Sequence, residues 1–123
     1  MALTLVNSAE AYYNALKNKD LSGMAQYLHP NVRFIGPLAE MTGKEAVLEA
    51  AKNFFPFVKG LTIRSKFGSG NQAMLAYDLE CPPPIGMFRA ATLMTFEDSF
   101  ISCIELFYDA RPFEQKKDEI FTQ

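Results

Sequence analysis

The sequence predicts an α+β fold, a cone in which three N-terminal helices pack on a strongly curved, mostly antiparallel sheet. Three observations predict it. Apolar residues recur every three to four positions as far as Phe55, and from Leu61 onward they alternate at every second position. The stretch Phe100–Tyr108 carries apolar residues on both faces around one acid, Glu105, so both faces need cover. Helices first and strands afterwards is the α+β order, and a long twisted sheet curling round its helices leaves a pocket on the concave side.

The elements follow in order. Asn7 or Ser8 is placed to cap a first helix, with Glu10 at capping-box distance from Asn7 and Leu5, Ala9, Tyr12, Tyr13 and Leu16 at helical spacing. Asp20 caps a short second helix whose stripe is Leu21, Met24, Tyr27 and Leu28, ended by His29-Pro30. Val32–Ile35 reads as a short strand stopped by Gly36-Pro37. Thr42-Gly-Lys-Glu45 is a capping-box pattern that opens a third helix, closed after Phe55 by Pro56. Strands then begin at Leu61, turn at Gly68–Asn71, and continue with Leu75, Tyr77, Leu79 and Cys81 on one face. Pro82-Pro-Pro-Ile-Gly86 cannot supply ladder N–H groups and connects to a strand over Phe88–Phe96. Glu97-Asp-Ser99 turns into the last strand. The tail from Glu114 to Gln123 is charged and reads as frayed.

A chain of 123 residues, 49% hydrophobic and 13% aromatic, suits one domain over 1–123 with a sizeable core. Twelve Lys and Arg against 14 Asp and Glu, with no basic cluster, argue against nucleic acid. The start lacks a basic n-region and no apolar run is long enough to span a bilayer, so the expectation is a cytoplasmic protein with no membrane partner. Cys81 and Cys103 have no His or Cys at ligand spacing, which predicts buried free thiols, no metal and no disulfide.

Tyr12-Tyr-Asn-Ala-Leu16, Lys19-Asp-Leu-Ser-Gly-Met24, Leu28-His-Pro-Asn-Val-Arg-Phe34 and Thr42-Gly-Lys-Glu45 together resemble the nuclear transport factor 2-like superfamily. Within it the chain looks most like the SnoaL-like polyketide cyclase and ketosteroid isomerase branch, over roughly residues 5 to 113. The resemblance implies the cone fold and puts the isomerase's helix-one tyrosine at Tyr12. It puts the general-base aspartate at Gly36 and the protonated aspartic acid at Met94, neither of which can move a proton. Related cyclases and epoxide hydrolases place an acid in the last strand, three residues before a final Asp. Here Glu105 stands four before Asp109, and Leu106 stands at three.

The catalytic candidates are therefore Glu105 and Tyr12. Glu105 on the concave parity, with Cys103 and Phe107, would be desolvated and act as a proton shuttle; on the other it would meet water or pair with Arg89 or Arg111. The expected pocket lining is Tyr12, Phe34, Phe54, Tyr77, Met94 and Phe107, receiving a small hydrophobic or aromatic molecule with no cofactor. The alternative is a non-enzymatic binding or dimerisation module whose interior the same side chains fill. His29 reads as a turn residue, and Asp109 as a local tie of the chain end. Ile104, Leu106 and Tyr108 are expected on the outer sheet face, where they would drive a homodimer.

Overall fold

The change of period after Phe55 coincides with the change from helix to sheet in the computed structural model, which describes residues 2–121. Helices α1 (Ala2–Lys17), α2 (Leu21–Ala25) and α3 (Lys44–Phe54) cover one face of a six-stranded, open sheet. Its strands are β1 (Leu28–Ile35), β2 (Glu40–Thr42), β3 (Gly60–Ser69), β4 (Gln72–Glu80), β5 (Met87–Glu97) and β6 (Phe100–Tyr108), in the order β2-β1-β6-β5-β4-β3. All neighbours are antiparallel except β1 and β6. The expected α+β cone is thus the observed architecture, with β1 and β2 extending the four-strand meander.

Several local expectations are corrected by packing. α1 starts ahead of Asn7, because Leu5 and Val6 are buried and carry the helix through the proposed cap. Asp20 does cap α2, its Oδ1 accepting from the Gly23 N–H at 3.0 Å. α2 ends at Ala25, earlier than its stripe suggests. Leu28 joins the sheet opposite Ile101, whose N–H donates to the Tyr27 carbonyl at 2.8 Å, so His29 and Pro30 lie in a strand. A helix of five residues is too short to hold against that pairing. The Thr42/Glu45 capping box does not form either. Gly43, at φ +108, occupies the cap position and donates its N–H to the Val32 carbonyl at 2.8 Å.

The charged tail is ordered as far as it is described. A 3₁₀ turn over Arg111–Lys116 and a short helix α4 (Lys117–Ile120) bring Phe113 and Ile120 to 2% and 4% exposure, while residues 122–123 lie outside the described chain. Two apolar anchors seven residues apart hold the segment, with the charges left facing water.

The correction with most consequence lies in β6. Phe96 pairs with Ile101, but Thr95 pairs with Cys103 and Met94 with Ile104, so a β-bulge inserts one residue. Without it, Ile101, Cys103, Glu105 and Phe107 would share a face. With it, Ile101 falls on the same face as Ile104, Leu106 and Tyr108, opposite the inward residues Met94, Thr92 and Ala90 of β5. Glu105 and Phe107 turn to the outer surface, and Ile104, Leu106 and Tyr108 do not.

Candidate functional site

Between the helices and the concave sheet lies a cavity of about 100 Å³. α1 contributes Tyr12, Tyr13 and Leu16, and α3 contributes Val47, Ala50, Ala51 and Phe54. The sheet supplies Phe34, Tyr77, Leu79, Phe88, Ile104, Leu106 and Tyr108, and the C-terminal segment closes over them with Phe113, Ile120 and Phe121. These positions follow from period: Tyr12 and Leu16 stand one helical turn apart, whereas Tyr77 and Leu79 are alternate residues of one strand. α1 packs across β3 and β4, and α3 packs on β1 and α4, so the space lies where the two helices diverge.

Of the residues expected at the site, Tyr12, Phe34, Phe54 and Tyr77 stand at the cavity wall. Met94 faces inward but is packed solid at 0% exposure and does not border the space. Phe107 is 51% exposed on the outer face, displaced there by the bulge. Glu105 lies beside it, paired across the ladder with Leu93 and next to Ile35 on β1. Its carboxylate acts on Cys103, where burial and the acid raise the thiol's pKa and Arg33 opposes them. Glu105 therefore reaches no reacting molecule in the cavity, and the proton-shuttle reading is withdrawn. His29 also lies elsewhere: its Nδ1 accepts from the Asn31 N–H at 3.0 Å, and its Nε2 is 3.4 Å from Glu97.

The polar groups that do converge are hydroxyls. The Tyr77 phenol donates to that of Tyr13 at 3.5 Å, with the rings edge-on at 4.9 Å and 70°, and the Tyr12 ring lies 5.7 Å from that of Tyr13. The Thr92 hydroxyl approaches Tyr13 closely enough to ease its proton loss, yet lacks hydrogen-bond geometry and stays unpaired and fully buried. Burial raises the pKa of Tyr13, lifts those of Tyr12 and Tyr77 well above the usual phenol range and pushes Tyr108 up to about 12. Among the described residues the wall carries no carboxylate, amine, guanidinium or imidazole. At neutral pH its phenols are hydrogen-bond donors and not bases.

Above about pH 10 the unfolded tyrosines ionise and the folded ones resist, so stability falls as pH climbs past that value. Denaturant titrations from about pH 7 to about pH 11 should show this loss reduced in Tyr77→Phe. An identical slope in the variant would mean that Tyr77 ionises freely in the fold.

The sequence reading missed Phe88, Leu106, Tyr108 and Phe113. Phe113 packs edge-on to Phe88 at 4.9 Å and to Tyr108 at 5.7 Å, and tilted to Phe54 at 6.2 Å, closing the mouth of the cone. Asp109 pins the corner from which this segment leaves β6. Its carboxylate receives Arg111 Nη2 at 2.6 Å and the Arg111 backbone N–H at 3.1 Å, holding its pKa down near about 2. The signal for Phe113 was present in its seven-residue spacing from Ile120, which lies inside the segment Glu114–Gln123 read by its charge.

The geometry has counterparts. The SnoaL-like domain family model matches residues 9–104. A solved protein of Kribbella flavida is similar at 26% identity and a TM-score of 0.83, over 89% of this chain and 90% of that one. An NTF2-like protein of Cytophaga hutchinsonii, of unknown function, is similar at 21% identity and a TM-score of 0.78, over 89% and 93%. A second Kribbella flavida protein, provisionally assigned as a ketosteroid isomerase, is similar at 18% identity and a TM-score of 0.80, over 88% and 79%. No functionally curated protein matches the chain.

Proposed function

The chain belongs to the SnoaL-like domain family of NTF2-like cone folds, and from that premise we propose that it holds a small, neutral, mainly apolar molecule in its cavity. Family and neighbours frame two uses for such a space, ligand binding and isomerase- or cyclase-type chemistry. The composition of the wall favours binding. Cofactor-free proton transfer needs a group that exchanges a proton near neutral pH, and the tyrosines here are held neutral by burial. Apolar walls with a few convergent hydrogen-bonding groups are the usual make-up of a binding pocket. The unpaired thiols of Cys81 and Cys103 suit a reducing compartment, which supports a cytoplasmic location. Native mass spectrometry of protein purified without organic solvent tests the reading: it should show a low-mass neutral adduct that disappears on unfolding. Adducts only of charged species would count against it.

The partner is a second copy, seated on the outer sheet face. There Phe67, Met74, Leu93 and Glu105 form one cross-strand row, and Phe107, Ala91 and Ala76 the next. Phe67 and Phe107 are 65% and 51% exposed, and a shallow depression is lined by Phe67, Met74 and Leu93. A twofold contact would seat each Phe107 in the other copy's depression, the same pair of surfaces used twice. Arg89, 83% exposed, and Glu105, without an ion-pair partner among the described residues, supply opposite charges at the rim. Light scattering should give a dimer at micromolar concentration and a monomer for Phe107→Lys. A monomeric parent protein would remove this proposal.

A further inference from the structure

Three features of the cavity narrow the class of molecule it takes. Its volume is about 100 Å³. Apolar protein cavities of about 150 Å³ hold one benzene ring, whereas drug-sized ligands occupy roughly 300–1,000 Å³. At about 100 Å³ the space lies just below the one-ring figure, so one ring needs the wall to yield and a fused multi-ring skeleton is far too large. Among the described residues the wall offers no cation to a carboxylate and no anion to an amine, so a charged ligand would be buried unpaired.

The hydroxyl cluster is also incompletely satisfied. Phenol to phenol, 3.5 Å is long against the usual 2.7–2.8 Å for O–H···O, while Thr92 Oγ1, also unpaired and fully buried, stands behind Tyr13 and does not border the space. Every group in the cluster is an O–H, and each can donate if offered an acceptor. An oxygen standing beside the pair, at the apex of a triangle whose base is their 3.5 Å separation, would receive from both at about 2.7–2.8 Å. Much of the rest of the wall is aromatic ring and aliphatic carbon, among them Phe54, Phe88 and Leu106.

We propose that the occupant is a neutral single-ring molecule carrying one hydrogen-bond-accepting oxygen, a hydroxyl or carbonyl, which receives from the Tyr13 and Tyr77 hydroxyls together while its ring lies among Phe54, Phe88 and Leu106. The proposal rests on the ligand-binding reading above and adds size, charge and orientation to it.

The test is a calorimetric series at neutral pH with toluene, p-cresol, p-toluate and a four-ring phenol. Toluene, p-cresol and p-toluate share one ring and differ only in the added group. p-Cresol is expected to bind about tenfold more tightly than toluene, a difference of about 1.4 kcal/mol, with no binding by p-toluate or the four-ring phenol. In Tyr77→Phe, and separately in Tyr13→Phe, the p-cresol to toluene ratio should fall to threefold or less. Each variant is first checked for a cooperative melt, so that loss of fold in one leaves the other to decide. Toluene binding as tightly as p-cresol, or a ratio unchanged in both variants, overturns the oxygen site. Tight binding of the four-ring phenol with none of p-cresol overturns the size assignment and leaves the ligand-binding reading standing. Tight p-toluate binding overturns the neutral class. Failure of all four compounds overturns both this inference and the reading beneath it.

Discussion

Ile104→Ala is expected to destabilise the fold by about 2–5 kcal/mol, while Glu105→Ala, one residue along the same strand, costs less than about 0.5 kcal/mol. Ile104 is 1% exposed and pairs with Met94, itself 0% exposed, so truncation removes buried methylenes and leaves a void beside the cavity. Glu105 stands on the outer face, and its loss removes no inward contact. The opposite ranking would follow from an unbroken strand, in which Glu105 would share the inward face of Ile101 and Ile104 would face out. Urea denaturation of the two variants, compared by midpoint at equal slope, separates these registers. A costly Glu105→Ala with a mild Ile104→Ala would mean that the bulge is absent.

Phe113→Ala is the second large effect, with an expected loss of about 3–5 kcal/mol. The ring is 2% exposed and touches Phe54, Phe88 and Tyr108, which come from three different elements, α3, β5 and β6. It also joins the C-terminal segment to the mouth of the cone, helped by the Asn53 side-chain amide, which donates to the Ile120 carbonyl at 3.3 Å. Removing the ring should both weaken the fold and open the cavity, so p-cresol should enter and leave faster. A mild thermal shift with unchanged exchange rates would show that the segment does not close the space.

The period change after Phe55 made the α+β class legible, because helical and strand spacing each depend on burying one face. The same logic put Tyr12 and Phe54 on inward helix faces, and Leu75, Tyr77 and Leu79 on one side of β4. It failed in β6 for a physical reason. Ser102-Cys103 carries no glycine or other mark of a bulge, yet the one extra residue there reverses the facing of everything after it. Glu105 drew attention as an acid amid apolar neighbours, but those neighbours face the other way. The docking of the tail was not legible because the charges of Glu114–Gln123 outnumber Ile120 and Phe121, although these two, with Phe113 just ahead of them, border the cavity. The candidate site was legible where tyrosine and phenylalanine followed the period. It was hidden where the register slipped or the chain returned from a distance.

Whether the interior is an open cage or is filled by its own side chains is most directly measured by pressurising crystals with xenon, which enters dry apolar cavities. A xenon peak is expected between Leu106, Phe54 and Tyr77, weakened when p-cresol is present. Crystals that take up no xenon there, with the aromatic side chains in mutual contact across the space, would contradict the open cage and leave a filled binding or dimerisation module.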